Sequence, residues 1–105
     1  MPNFVISYHG GEKPKTPEEG KEGMEKFMSW LSDLGEAVVN PGSPLGKSMI
    51  VSSSDVSEYT GDNPWSGFSI VSAENMEAAL EIAKKCPFLE TKGTLEVAQV
   101  MRMNP

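Results

Sequence analysis

One residue in the sequence is suited to proton transfer at neutral pH. His9 is the only histidine, and imidazole ordinarily gains and loses a proton near pH 7. It stands where a predicted strand becomes a loop, a common place for functional groups. Asp62 or Asp55, from a later polar segment, could orient it, and a His–Asp pair can move a proton on a small substrate. We therefore predict His9 as the proton carrier and Asp62 as its orienting group. The alternative is a surface or dimer-edge histidine without chemistry.

Two aromatic residues flank Asp62, and they indicate a binding pocket. Apolar pockets favour aromatic walls with a few polar groups. We therefore predict that Tyr59 and Trp65 bind a ligand together with Ser7, which shares the His9 side of the first strand. The alternative is that Tyr59 and Trp65 only pack the loop or an interface.

Other kinds of site are disfavoured by spacing. The segment from Gly42 to Ser48 imitates a phosphate-binding loop, but three residues separate its glycines instead of four, and a strand-like run follows. One cysteine and one histidine far apart do not make a zinc site, and no acidic cluster has calcium-loop spacing. Cys86, just before Pro87, is predicted to be a small buried hydrophobe. We expect no metal and no cofactor.

Composition limits the partners and the location. Fifteen acidic residues against nine basic give a net charge of −6, which opposes nucleic-acid binding. No unbroken apolar run exceeds three residues, so no membrane span is expected, and the first residues lack the features of a signal peptide. The single cysteine allows no intramolecular disulfide, which fits a cytoplasmic location.

Apolar periodicity and turn residues divide the chain into seven elements. A helix is predicted from Thr16 to Leu34, and a second starts with Ser72 as its cap and ends at Pro87. Segments 40–47 and 53–64 are predicted to be loops. The predicted strands are 3–9, 37–39, 48–52, 67–71 and 95–101. Although the middle strands are short, the order β-α-β-β-β-α-β predicts one α+β domain over residues 1–105. Its plan is ferredoxin-like, with both helices on one face of the sheet.

Two helices cover only one face of such a sheet, yet apolar residues occupy both sides of its strands. Val5 lies opposite Phe4 and Ile6 in the first strand, and Val71 lies opposite Phe68 and Ile70 in a later one. A half-apolar open face is unusual on a monomer. An isologous homodimer would bury it, so we predict one. The alternative is a monomer whose loop 53–66 folds over the sheet.

The second half of the chain resembles YCII-related (DGPF-type) domain proteins. Those proteins have a strand, a helix that ends in a proline, and a strand containing an E-V pair, as in segments 67–71, 72–87 and 93–100. Asp62-Asn63-Pro64-Trp65 is similar to their D-G-P-F signature, with Asn63 in place of glycine. Earlier features also fit: Tyr8 with Gly10, Thr16-Pro17-Glu18-Glu19, and Gly42 with Pro44.

This resemblance implies a dimeric α/β barrel in which two ferredoxin-like sheets pack face to face. It also implies a pocket between sheet and loops, used in some members by enzymes acting on small lactones or phenols. Some relatives carry a histidine in the first helix, paired with an aspartate as a proposed acid/base dyad. Residues 16–34 contain no histidine, so this dyad does not transfer. We predict a pocket for a small organic ligand, with cofactor-free acid/base chemistry. The alternative is a non-catalytic module that binds a small molecule or a protein.

Overall fold

The computed structural model describes residues 1–102, so the last three residues of the predicted domain lie outside it. A four-stranded antiparallel sheet has the strand order β2-β5-β1-β6, and β3 and β4 form a separate two-stranded ribbon. With two helices on one face of the sheet, this is the predicted ferredoxin-like plan. The elements are β1 (Asn3–His9), α1 (Pro17–Leu34), β2 (Val38–Pro44), β3 (Met49–Val51), β4 (Val56–Glu58), β5 (Trp65–Ser72), α2 (Met76–Lys84) and β6 (Thr94–Gln99).

The core lies between the two helices and one face of the sheet. Because side chains alternate across a strand, Phe4, Ile6 and Tyr8 of β1 are buried on this covered face, whereas the residues between them are half-buried. Both helices contribute to the same cluster, α1 through Trp30 and Leu31, and α2 through Ala79 and Ala83. The prediction that both helices share one face is therefore confirmed.

Helix α1 begins and ends where the sequence predicts. The Thr16 Oγ1 accepts a hydrogen bond from the Glu19 N–H at 3.1 Å, and Pro17 occupies the first turn. The Glu19 carboxylate accepts from the Lys15 N–H at 2.9 Å instead of from the Thr16 N–H of a standard capping box. At the other end, Gly35 has φ +55°, and its N–H donates to carbonyls of the last turn.

The predicted loop 40–47 is wrong over its first half, because β2 continues through Pro41 to Pro44. β2 is an edge strand, where a proline that lacks an N–H is tolerated. Irregularities in its pairing with β5 lie between Val38 and Asn40 and between Asn40 and Ser43. Gly42 has φ +78°, and a Cβ there would lie only 1.5 Å from the Phe68 carbonyl oxygen. Only glycine lets the two backbones approach this closely.

The predicted loop 53–64 is also partly wrong, because it contains β4. Strand β4 pairs with β3 through Met49–Glu58, Ile50–Ser57 and Val51–Val56. The turn between them is held by the Ser52 Oγ, which accepts from the Asp55 N–H at 3.0 Å. Short polar strands without apolar alternation give little signal in a sequence, so the fourth of six strands was missed.

The start of α2 was predicted three residues too early. Ser72 lies in β5, and the Asn75 Oδ1 caps the helix by accepting from the Ala78 N–H at 2.9 Å. Asparagine and serine are comparable N-caps, so spacing alone does not distinguish them. The helix ends at Lys84, and Pro87 begins a short 3-10 helix, Pro87–Thr91.

Candidate functional site

His9 lies at the end of β1, beside the segment that carries the other predicted site residues. Its partner across the strands is Trp65, at an irregularity in the β1–β5 pairing. Next to it, the Gly10 N–H donates to the Pro64 carbonyl at 2.9 Å. Glycines at positions 10 and 11 have φ of +70° and +88°, which lets the chain turn away here. These contacts hold residues 63–65 against the end of β1.

The two ring nitrogens of His9 face different oxygen atoms. Nδ1 lies 3.5 Å from the Asn63 carbonyl oxygen. Nε2 is buried, makes no hydrogen bond, and lies 3.4 Å from the Glu96 Oε1. Glu96 comes from β6 opposite Ser7, so it shares the face of His9. The side chain of His9 is 19% exposed and that of Glu96 is 75% exposed.

The structure brings together only some of the predicted site residues. The Tyr59 hydroxyl accepts from the Asn63 N–H at 3.3 Å, and Trp65 is 46% exposed beside His9. Ser7 is half-buried on the same face as His9. Asp62 is exposed, and no hydrogen bond or ion pair joins it to His9 within residues 1–102. Asp55 lies in the turn of the ribbon, where its carbonyl and N–H bond Ser52.

A cavity of about 340 Å³ lies on the other, helix-covered side of the sheet. None of the residues that line it is charged, and none of them is His9, Tyr59, Asp62 or Trp65. This cavity was not predicted from the sequence. It is lined by five α1 residues between positions 23 and 31, by Tyr8, by residues 41–44 and 66–68, and by Pro87, Phe88 and Thr91.

Aromatic rings form one wall of the cavity. The Tyr8 ring packs against Phe27 with centroids 5.5 Å apart and against Phe88 with centroids 5.4 Å apart. Met24 and Met28 lie one turn apart on α1, line the cavity, and are each 56% exposed. They lie on the same side of α1 as Phe27 and Leu31, which also line the cavity.

Tyr8 is held by a chain of hydrogen bonds. Its hydroxyl donates to the Ser69 Oγ at 2.7 Å, and the Ser69 hydroxyl donates to the Pro41 carbonyl at 2.8 Å. Burial raises the pKa of Tyr8 well above its ordinary range, so the phenol stays protonated. Burial also raises the pKa of the Cys86 thiol to about 11. Cys86 is 3% exposed, which confirms its prediction as a buried hydrophobe.

The comparisons with known proteins agree with this fold. The model of the YCII-related domain matches residues 4–104. The chain belongs to the YCII-related family. The 5-chloro-2-hydroxyhydroquinone dehydrochlorinase of Burkholderia phenoliruptrix, solved with 2,5-dihydroxybenzoquinone, is similar in structure, with a TM-score of 0.59 and 16% identity. The similarity covers 96% of this chain and 95% of the dehydrochlorinase. A search of curated proteins found no match.

The helix α1, Pro17–Leu34, carries no histidine. His9 lies on the face of the sheet opposite α1. No group of three or more metal-ligating side chains clusters within residues 1–102. No helix in this part of the chain is long and apolar enough to cross a membrane.

Proposed function

We propose that this YCII-related protein binds a small, mainly apolar organic molecule in the cavity between α1 and the sheet. The observation that carries the proposal is an uncharged cavity of about 340 Å³ with aromatic walls. Ligand pockets commonly have about 300–1,000 Å³ and apolar, aromatic linings with few polar groups. The similar dehydrochlorinase was solved with a small ring compound, which is consistent with this size.

Binding without catalysis is favoured because His9 does not line the cavity. Tyr8 is the titratable residue of the lining, and it stays protonated because burial raises its pKa. A protonated phenol held by Ser69 is a poor general base. The cavity therefore has the shape and polarity for retention of a ligand, and it lacks a group poised to take a proton.

Saturation-transfer NMR with toluene tests this proposal. A Cβ added at Gly23, which lines the cavity, meets no atom within 4 Å, so Gly23→Leu places a side chain in open space at the cavity mouth. We expect toluene to bind the wild type and to lose most of its signal in Gly23→Leu. Gly46→Leu is the matched control, because a Cβ there is equally free and Gly46 does not line the cavity. Equal toluene binding in both variants would contradict the proposal.

A second candidate function is cofactor-free proton transfer at His9. The observation that favours it is the buried Nε2, which has no hydrogen bond although the Glu96 carboxylate lies 3.4 Å away. Asp62 was predicted from the sequence as the orienting group, whereas these contacts favour Glu96. Tyr59, Trp65 and Ser7 would then surround a substrate at the end of β1.

Turnover of small lactones by three variants separates these assignments. His9→Gln abolishes turnover if His9 carries the proton. Glu96→Gln lowers the rate and Asp62→Asn leaves it unchanged if Glu96 is the orienting group, and the reverse result supports Asp62. Turnover that survives His9→Gln would leave no catalytic role for His9.

We also propose that the protein is a homodimer that pairs through the open face of its sheet, defined as Val5, Ser7, His9, Phe68, Ile70, Glu96 and Ala98. Val5, Phe68 and Ile70 are only half-buried within one chain. Cross-strand pairing places Val5 beside Ile70 and Ser7 beside Phe68, so the apolar groups are contiguous. A second copy would shield them. The cytoplasmic location stays a prediction from the single buried cysteine.

A further inference from the structure

The hydroxyl groups in the cavity lining all donate their protons in hydrogen bonds within the protein. Four lining residues carry a hydroxyl: Tyr8, Ser43, Ser66 and Thr91. Three of them donate to backbone carbonyls, which can only accept: Ser43 to Pro44 at 3.0 Å, Ser66 to Gly10 at 2.9 Å, and Thr91 to Phe88 at 2.6 Å.

The direction of the Tyr8 hydrogen bond follows by elimination. The Ser69 hydroxyl has one proton, and it must donate that proton to the Pro41 carbonyl, 2.8 Å away. The Tyr8 hydroxyl, 2.7 Å from the Ser69 Oγ, must therefore be the donor of that pair. Each of the four lining hydroxyls is left with free lone pairs and no free proton.

Other donors in the lining are scarce. Three lining residues, Pro41, Pro44 and Pro87, have no N–H. The Gly42 N–H donates to the Asn40 Oδ1 at 2.8 Å. No lysine, arginine or histidine lines the cavity. A ligand carbonyl or carboxylate would therefore be buried with few partners, which is unfavourable.

We propose that the cavity selects small neutral ligands that carry a hydrogen-bond donor, such as a ring alcohol, over ketones and carboxylates of the same shape. This inference rests on the proposed binding function and specifies its ligand class. The donor of the ligand bonds a free lone pair of a lining hydroxyl, and its ring packs against the aromatic wall formed by Tyr8, Phe27 and Phe88. The cavity supplies no charge to hold an anion.

Cyclohexanol and cyclohexanone are the probes, because they differ mainly in the presence of a donor. We expect cyclohexanol to bind the wild type about fivefold more tightly, as one neutral hydrogen bond allows, with dissociation constants from NMR titration. Toluene, which has neither donor nor acceptor, is the reference. If toluene binds and cyclohexanone binds as tightly as cyclohexanol, the inference fails and the binding function stands. If none of the three binds, both are overturned.

Two variants test whether the Tyr8 hydroxyl causes the preference for cyclohexanol over cyclohexanone. Tyr8→Phe removes an acceptor from the cavity and should lower the preference for cyclohexanol about threefold. Ser69→Ala removes the acceptor of the Tyr8 proton, so that proton becomes available and cyclohexanone should gain affinity relative to cyclohexanol. Ser52→Ala, in the ribbon turn, is the control and should change neither constant. If Ser69→Ala does not fold, Tyr8→Phe decides: an unchanged preference in that variant overturns the role of Tyr8.

Discussion

The two faces of β1 show how one strand serves two different surfaces. On the covered face, Phe4 and Ile6 are 0% exposed, and Tyr8 is hydrogen-bonded within the core. On the open face, Val5, Ser7 and His9 are half-buried, and the Nε2 of His9 has no hydrogen bond. The covered face packs against the two helices of its own chain, whereas the open face is only half-buried within one chain.

The proposed ligand cavity and His9 lie on different faces of the sheet. The cavity lies on the covered face, between α1 and the sheet, and its lining hydroxyls donate their protons to groups of the protein. His9 and Glu96 lie on the open face. A ligand in the cavity and a proton carrier at His9 are therefore two separate proposals, and each can fail without the other.

The largest effect is expected from truncation on the covered face. Ile6→Ala should lower the free energy of unfolding by about 2–5 kcal/mol, because it leaves a hole in a closely packed core. Val5→Ala, on the neighbouring residue but the opposite face, should cost less than about 1.5 kcal/mol. Urea denaturation of both variants at low protein concentration measures the difference. Equal losses would contradict the distinction between the two faces.

A charge on the open face should act on association instead of folding. Ile70→Glu would bury an unpaired carboxylate between two sheets, so it should weaken the dimer by about 2–5 kcal/mol. Light scattering should give twice the 11.4 kDa chain mass for the wild type and a single chain mass for the variant. Glu77→Gln, on the exposed start of α2, should leave the dimer intact. A wild-type protein that is monomeric at micromolar concentration would overturn the dimer proposal.

Alkaline pH should destabilise the protein through the covered face. Burial raises the pKa of Cys86 from its ordinary 9.0 to about 11, so the folded state holds this proton more tightly than the unfolded state. The resulting stability is fully present below pH 9 and is lost as pH rises through 11. The loss is on the order of 2 kcal/mol.

Cys86→Ala should reduce this alkaline loss, as measured by urea denaturation at pH 8 and pH 11. Tyr8→Phe should reduce a further loss above pH 10, because the pKa of Tyr8 is also raised by burial. A pH dependence that persists unchanged in both variants would show that other groups cause it.

The smallest effect distinguishes Gly23, within α1, from Gly35, directly after its last residue. A Cβ at Gly23 or at Gly35 meets no atom within 4 Å, but Gly35 has φ +55°. Gly23→Ala should therefore stabilise the protein by about 0.5–1 kcal/mol, and Gly35→Ala should destabilise it by about 1 kcal/mol. Thermal denaturation measures both changes. Stabilisation by both substitutions would indicate that the positive φ of Gly35 does not disfavour alanine at this position.

Most of the main sheet and both helices were predictable, because their residues alternate or repeat with the period of a strand or a helix. β1 was predicted to the residue, and α1 ends at Leu34 as predicted. The continuation of β2 through Pro41 was not predictable, since it depends on an edge position and on the close approach of Gly42 to Phe68. β4 was missed because its three residues carry no apolar alternation.

The candidate site was only partly predictable for a related reason. The sequence indicates which residues have useful chemistry, and His9 with its neighbours at 59–65 does lie at one end of the sheet. It does not indicate which carboxylate a distant strand places beside His9. Glu96, which lies beside it, is 87 positions further along the chain. The cavity depends on how α1 packs against residues 41–44 and 66–68 and against Phe88, which is a property of packing and not of any motif.

The most direct measurement follows the methionine methyl groups and the His9 ring by NMR while cyclohexanol is added. Met24 and Met28 line the cavity, whereas Met49 lies in the ribbon and His9 on the open face. We predict that the signals of Met24 and Met28 shift with saturation and that those of Met49 and His9 do not. Shifts at His9 with unchanged signals from Met24 and Met28 would contradict binding in the covered cavity.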